Sequence, residues 1–146
     1  MLYKLTVALF SLLILAAVGC RTGEYKFDLE IYKKMPDILK AEPTLAGEVA
    51  TNPDGSVKVR FEKGTMYLTL ADRKDENTRM TASTKAFELF HNLYLADPTA
   101  KKPDGTFRRD KIFFKGFVGE TELYVVEWNL GEKQPNVISN RSGNYM

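Results

Sequence analysis

The sequence predicts an α+β domain: a mainly antiparallel sheet of about six strands with one long helix packed on a face. Three observations carry that prediction. Short apolar/polar alternations are separated by Asn52-Pro53-Asp54-Gly55, Lys63-Gly64 and Gly119-Glu120, which have the residue chemistry of tight turns. One stretch has a helical period instead: between Thr81 and Ala96, residues Ala86, Leu89, Phe90 and Leu93 fall at i, i+3, i+4 and i+7. Finally, Lys111 to Leu130 is apolar on both faces of its alternation, as expected of a central hairpin.

The N-terminus reads as a leader rather than as part of that domain. Lys4 is followed by the uncharged run Leu5 to Gly19 and then by Cys20, the one cysteine of the chain. As a helix the run would span roughly 22 Å, short of the roughly 30 Å of a bilayer core. Its last residues, Ala17-Val18-Gly19-Cys20, resemble the lipobox of bacterial lipoproteins, with Ala17 where leucine is more usual. The resemblance implies cleavage between Gly19 and Cys20, diacylation of the Cys20 sulfur, and membrane lipid as a partner. By the same resemblance, Arg21, in place of the aspartate common in inner-membrane lipoproteins, implies the outer membrane of a Gram-negative envelope. A lone thiol outside the cytosol would be open to oxidation, and a thioether removes that liability. Each buried CH₂ adds about 0.8 kcal/mol, so two or three acyl chains hold a protein durably.

The segments then follow in order. Residues 20–23 form the lipidated cysteine and a short tether. The globular domain is expected over residues 24–130, and residues 131–146 read as a flexible polar tail. Tyr25, Phe27, Leu29 and Ile31 alternate with polar neighbours, predicting a first strand and a tether reach of roughly 13–14 Å. Met35 to Glu42 is a short helix with Pro36 at its first position, closed by Pro43. A three-stranded meander is expected from Leu45 to Ala71, then a charged loop from Asp72 to Arg79. The long helix is capped by Ser83 or Thr84 and stopped by Asp97-Pro98. Lys101 to Asp110 is a second Pro-Asp-Gly turn in a basic loop, and the closing hairpin completes the sheet. No internal repeat stands out.

Composition limits the chemistry. The chain has 21 basic and 19 acidic side chains, and loss of Lys4 with the leader leaves 20 against 19, so composition offers no field for nucleic acid and no polybasic anchor for anionic lipid. His91 is the one histidine, too few for a zinc site, and it reads as helix-border packing. Asp72, Asp75, Glu76 and Asn77 lack the spacing of a calcium loop. Glu122 and Glu127 are expected on opposite strand faces, with Glu120 in the turn, which argues against a glycosidase pair. No cofactor is implied. Lys101, Lys102, Arg108, Arg109 and Lys111 form a candidate binding surface for an anionic headgroup or polymer. The expected function is a non-enzymatic envelope lipoprotein that binds or scaffolds a protein partner. An exclusion or immunity lipoprotein facing an incoming toxin, phage or conjugative machine is the alternative, ahead of an envelope-polymer hydrolase.

Overall fold

A computed structural model describes residues 29–141. The leader, Cys20, the tether and residues 142–146 lie outside that range, as do residues 25–28 of the expected first strand. The described chain is α+β: two α-helices and a five-stranded sheet in the order β1-β2-β3-β4-β5. The strands are β1 (Val59–Glu62), β2 (Thr65–Leu70), β3 (Lys111–Val118), β4 (Thr121–Asn129) and β5 (Asn136–Asn140). Three pairings are antiparallel, while β2 and β3 run parallel. A parallel pair requires a crossover, and the long helix supplies it.

The first helix, α1 (Glu30–Ala41), corrects two expectations. Residues Glu30 to Tyr32, read as strand, are helical, and Pro36 lies inside the helix rather than at its start. Buried Ile31, Met35 and Leu39 recur every four residues, a period that overlaps the alternation of Leu29 and Ile31. Leu29 has no side chain that can cap the helix, so no local start signal exists. The partners come from far along the chain. The Ile31 amide donates to Asp97 Oδ2 at 2.9 Å, and the Glu30 amide donates to Thr99 Oγ1 at 3.2 Å.

The second helix, α2 (Glu76–Ala96), starts earlier than Ser83 or Thr84. Asp75 is its N-cap, accepting from the Asn77 amide at 3.1 Å and the Thr78 hydroxyl at 2.6 Å. The acidic run is therefore a helix start, with negative charge at the positive end of the dipole. Arg79 is buried and donates to the Arg73 carbonyl, while Ser83 donates to the Arg79 carbonyl. Those contacts replace the capping role assigned to Ser83.

Of the expected meander, only the second turn is a full hairpin. Lys63 and Gly64 join β1 to β2, both with positive φ, as a two-residue hairpin turn requires. The segment before Asn52 makes isolated bridges, Val49 to Leu70 and Thr51 to Val57, instead of a strand. The closing hairpin forms as expected, except that Leu123 is an extra residue: Gly116 faces Tyr124 while Phe117 faces Glu122. Part of the expected tail is ordered as β5, pairing antiparallel with β4.

One local unit is used twice, contrary to the reading of no repeat. Helix α1 ends on Glu42-Pro43-Thr44 and α2 on Asp97-Pro98-Thr99, each followed by a single 3-10 turn. In both, the threonine hydroxyl donates to the acid, at 2.8 and 2.7 Å. Each then reaches a Pro-Asp-Gly turn in which Ser56 or Thr106 donates its hydroxyl to the turn aspartate at 2.6 Å. The linkers differ in length, residues 46–51 against Lys101 alone, so no fixed period marks the pair in sequence.

Both helices pack on one face of the sheet. Tyr32 of α1 stacks on Phe61 of β1 at 4.9 Å, and Phe87 of α2 meets Phe114 of β3 at 5.1 Å. Strands lie about 4.8 Å apart and packed helices roughly 8–10 Å apart, so two helices cover about four strands. The inner face of β5 is left uncovered.

Asp97 joins these parts. Burial acts to raise its carboxyl pKa, but the Thr99 hydroxyl and the Ile31 and Thr99 amides, with Lys34 nearby, hold it below the ordinary 3.8. Because the folded value is depressed, its contribution is present above pH 4 and disappears as pH falls through that value. Asp97→Ala is expected to cost about 2–3 kcal/mol at neutral pH, and Asp97→Asn less. Urea denaturation should show that difference shrinking below about pH 4. A neutral-pH loss under about 0.5 kcal/mol would contradict this role.

Candidate functional site

The uncovered end of the inner face forms a cavity of about 200 Å³ between α2 and strands β3 to β5. Phe87, Phe114, Tyr124, Val126 and Trp128 line it, and Met80 and Val137 stand at its exposed rim. Each lining residue is placed by a rule already described. Phe87 lies on the apolar stripe of α2, while Phe114, Val126 and Trp128 share the inward face of the hairpin through register. Tyr124 is seated over Gly116, where a Cβ would come within 3.0 Å of its ring. Two buried polar atoms in this neighbourhood, the Tyr124 hydroxyl and His91 Nε2, have no hydrogen-bond partner among the described residues. Leaving such an atom unpaired costs about 1–3 kcal/mol.

β5 extends the apolar surface to the sheet edge. Val137 is 64% exposed and Ile138 56%, and Ile138 is the extra residue of a second bulge. No strand pairs with the outer side of β5 among the described residues. An edge with unpaired backbone groups beside apolar side chains is a template for strand addition. Sequence reasoning missed this site, although Val137-Ile138 between two asparagines was its visible trace.

The sequence candidates are placed as follows. His91 is buried and stacks on Trp128, with ring centroids 3.6 Å apart and planes 9° apart. Trp128 is held in turn by its indole N–H, which donates to the Glu132 carbonyl at 2.9 Å. Burial lowers the His91 pKa, and a hydrogen bond with Asn92 opposes that shift in part. Glu122 and Glu127 share the outer face of β4, correcting the expectation of opposite faces, because the Leu123 bulge shifts the alternation by one residue. Their partners on β3, Phe117 and Phe113, are four residues apart, roughly 13 Å along a strand and too far for a carboxylate pair. Each is also neutralised, Glu122 by Lys115 at 3.8 Å and Glu127 by Lys111 at 3.1 Å. Among the described residues, no group of three or more His, Cys, Asp or Glu is placed to hold a metal ion.

The outer face carries apolar residues beneath cations. Tyr67 lies beside Phe117, with Arg60 3.7 Å from its ring centre and the Lys115 ammonium 5.8 Å away. Such contacts offset the exposure of a second apolar face. The basic loop of Lys101, Lys102, Arg108, Arg109 and Lys111 lies away from the cavity, at the C-terminal end of α2. It closes on itself through the Lys101–Phe107 bridge. Arg109 packs over Gly64 there.

Fold and site together define a two-layer α+β protein with an apolar cavity opening at a free strand edge. No protein-family model, curated protein or solved structure matches the chain. No helix among the described residues is long and apolar enough to cross a membrane.

His91 gives a pH test of the cavity wall. Its folded pKa lies below the ordinary 6.5, so the unfolded chain binds the proton more readily and stability falls as pH drops below that value. Thermal melts at pH 7.5 and about pH 5 should show a lower melting temperature in acid, and His91→Phe should abolish the part that begins near pH 6.5. An unchanged profile in the variant would remove His91 from this account.

Proposed function

We propose that this chain is a small envelope lipoprotein, held by acyl groups on Cys20, that binds a protein partner along β5 and has no catalytic role of its own. The observation that carries the reading is the continuity between the cavity and the exposed Val137-Ile138 edge. A partner strand added to β5 would satisfy the open backbone groups and place one large apolar side chain in the cavity. An engineered cavity of about 150 Å³ accepts benzene, so one of about 200 Å³ suits an aromatic or leucine side chain. The lipobox-like Ala17-Val18-Gly19-Cys20 supports the anchor, and the neutralised, separated Glu122 and Glu127 disfavour a hydrolase.

Two experiments test the two halves. Cys20→Ala is expected to move the protein from the membrane pellet to the soluble fraction, and a variant that stays in the pellet defeats the anchor. Pull-down from detergent-solubilised membranes should recover a partner with wild-type protein. Val137→Asp with Ile138→Asp should weaken that capture at least tenfold, as expected of a hot spot worth about 2 kcal/mol. Since both side chains are exposed, the double variant should melt as wild type does. Undiminished capture by a folded variant would exclude the β5 edge.

A further inference from the structure

The two ends of the domain differ in charge, and the chain enters at the basic one. Strands β2 and β3 run upward in parallel, so the Lys63-Gly64 turn and Lys111 lie at the lower end, while Gly119-Glu120 lies at the upper. The start of α1 is tied to the lower end. Glu30 and Ile31 donate to Thr99 and Asp97, and the Tyr32 hydroxyl accepts from the Gly64 amide at 3.0 Å. Arg109 packs over Gly64, and Arg108 donates its amide to the Ala100 carbonyl at 2.9 Å. The basic loop thus lies at the same end of the domain as Leu29, the first described residue.

From Lys101 to Lys111 this loop holds five cations against two carboxylates, Asp104 and Asp110, a balance of +3. Within it, Asp104 accepts from the Thr106 amide and hydroxyl, and Lys111 pairs with Glu127. Nearby Asp97 is buried and bonded within the fold. The upper end is mixed instead, its acids standing among Lys40, Lys58, Arg73 and Lys74. The Asn52-Pro53-Asp54-Gly55 turn lies beside Glu120 there, with the α2 cap Asp75-Glu76 following β2 at the same end. A near-neutral chain therefore places its excess positive charge where its N-terminal segment begins.

We propose that the loop from Lys101 to Lys111 rests on the anionic headgroups of the membrane that holds the anchor, docking the domain in one orientation. This rests on the lipoprotein reading. Cys20 is nine residues before Leu29, a reach of at most roughly 32 Å, so the lower end stays close to the bilayer surface. The attraction between the loop and anionic lipid acts within a Debye length, about 8–10 Å at physiological salt, and is screened beyond it. The upper end then points away from the membrane, and β5 runs between the two.

The test separates the loop from the anchor. Among the described residues the buried apolar core lies between Leu29 and Trp128, and a chain beginning at Arg21, made without lipid, retains all of it. It should co-sediment at least tenfold better with vesicles of phosphatidylglycerol and phosphatidylcholine than with phosphatidylcholine alone. The preference should vanish in 0.5 M salt (about a 4 Å screening length) and in Lys102→Glu with Arg108→Glu. Lys58→Glu with Lys85→Glu, remote from the loop, should keep it. Equal binding to both vesicles, or binding retained by the loop variant, overturns the proposal whether or not Cys20 is acylated. For orientation, Pro53→Cys and Pro103→Cys place one label at the tip of each matching turn of the lipidated chain, whose own cysteine is blocked. Headgroup-quencher vesicles should quench the label at 103 and spare the one at 53. Equal quenching, or the reverse order, overturns it.

Discussion

The carboxylate of Asp97 accepts hydrogen bonds where the end of α2 meets the start of α1. One oxygen takes the amide and hydroxyl of Thr99, which turns the chain out of α2. The other takes the Ile31 amide and supplies a cap that α1 lacks in its own sequence. Helix N-termini leave amides unsatisfied, and a buried one must find a partner somewhere. Here the partner lies 66 residues away, so α1 is a helix only because α2 has ended in the right place. The stacking of Tyr32 on Phe61, the placement of Leu29 and the assembly of the basic end all follow from that contact.

The cavity has an equally simple origin. Two helices cannot cover five strands, and α1 and α2 are drawn toward β1, β2 and β3 by the Tyr32–Phe61 and Phe87–Phe114 contacts. Trp128 and Tyr124 on β4 close part of the gap. His91 supports the wall through its stack on Trp128, and no strand of the described residues covers the far side of β5. An apolar edge is a hazard for a protein that works alone, because it invites pairing with any strand. A dedicated partner turns the same feature into a binding site. An anchor fixing one end toward the bilayer would then decide which proteins can reach that edge.

Charge is arranged by topology rather than by composition. The repeated helix exit and Pro-Asp-Gly turn occur once at each end of the domain because α1 and α2 run in opposite directions. The same local chemistry thus appears once at each end, around Asp54 with Lys40 nearby and around Asp104 in the basic loop. A balance of 21 basic to 19 acidic side chains hides the excess of cations in that loop.

Local physics explains which parts were legible in the sequence. Period-2 stretches bounded by Lys63-Gly64 and Gly119-Glu120, and the stripe from Ala86 to Leu93, determine β1 with β2, β3 with β4, and the body of α2 through contacts between near neighbours. Tertiary structure alone decided the rest. It made Glu30–Tyr32 helical by a distant cap and turned the acidic run at Asp75 into a helix start. The Leu123 bulge put Glu122 and Glu127 on one face by adding a single residue. Most consequentially, it recruited Asn136–Asn140, polar and aperiodic on its own, as the fifth strand. An edge strand of that kind is held by backbone hydrogen bonds to β4, which any side chains permit, so its sequence carries little record of them.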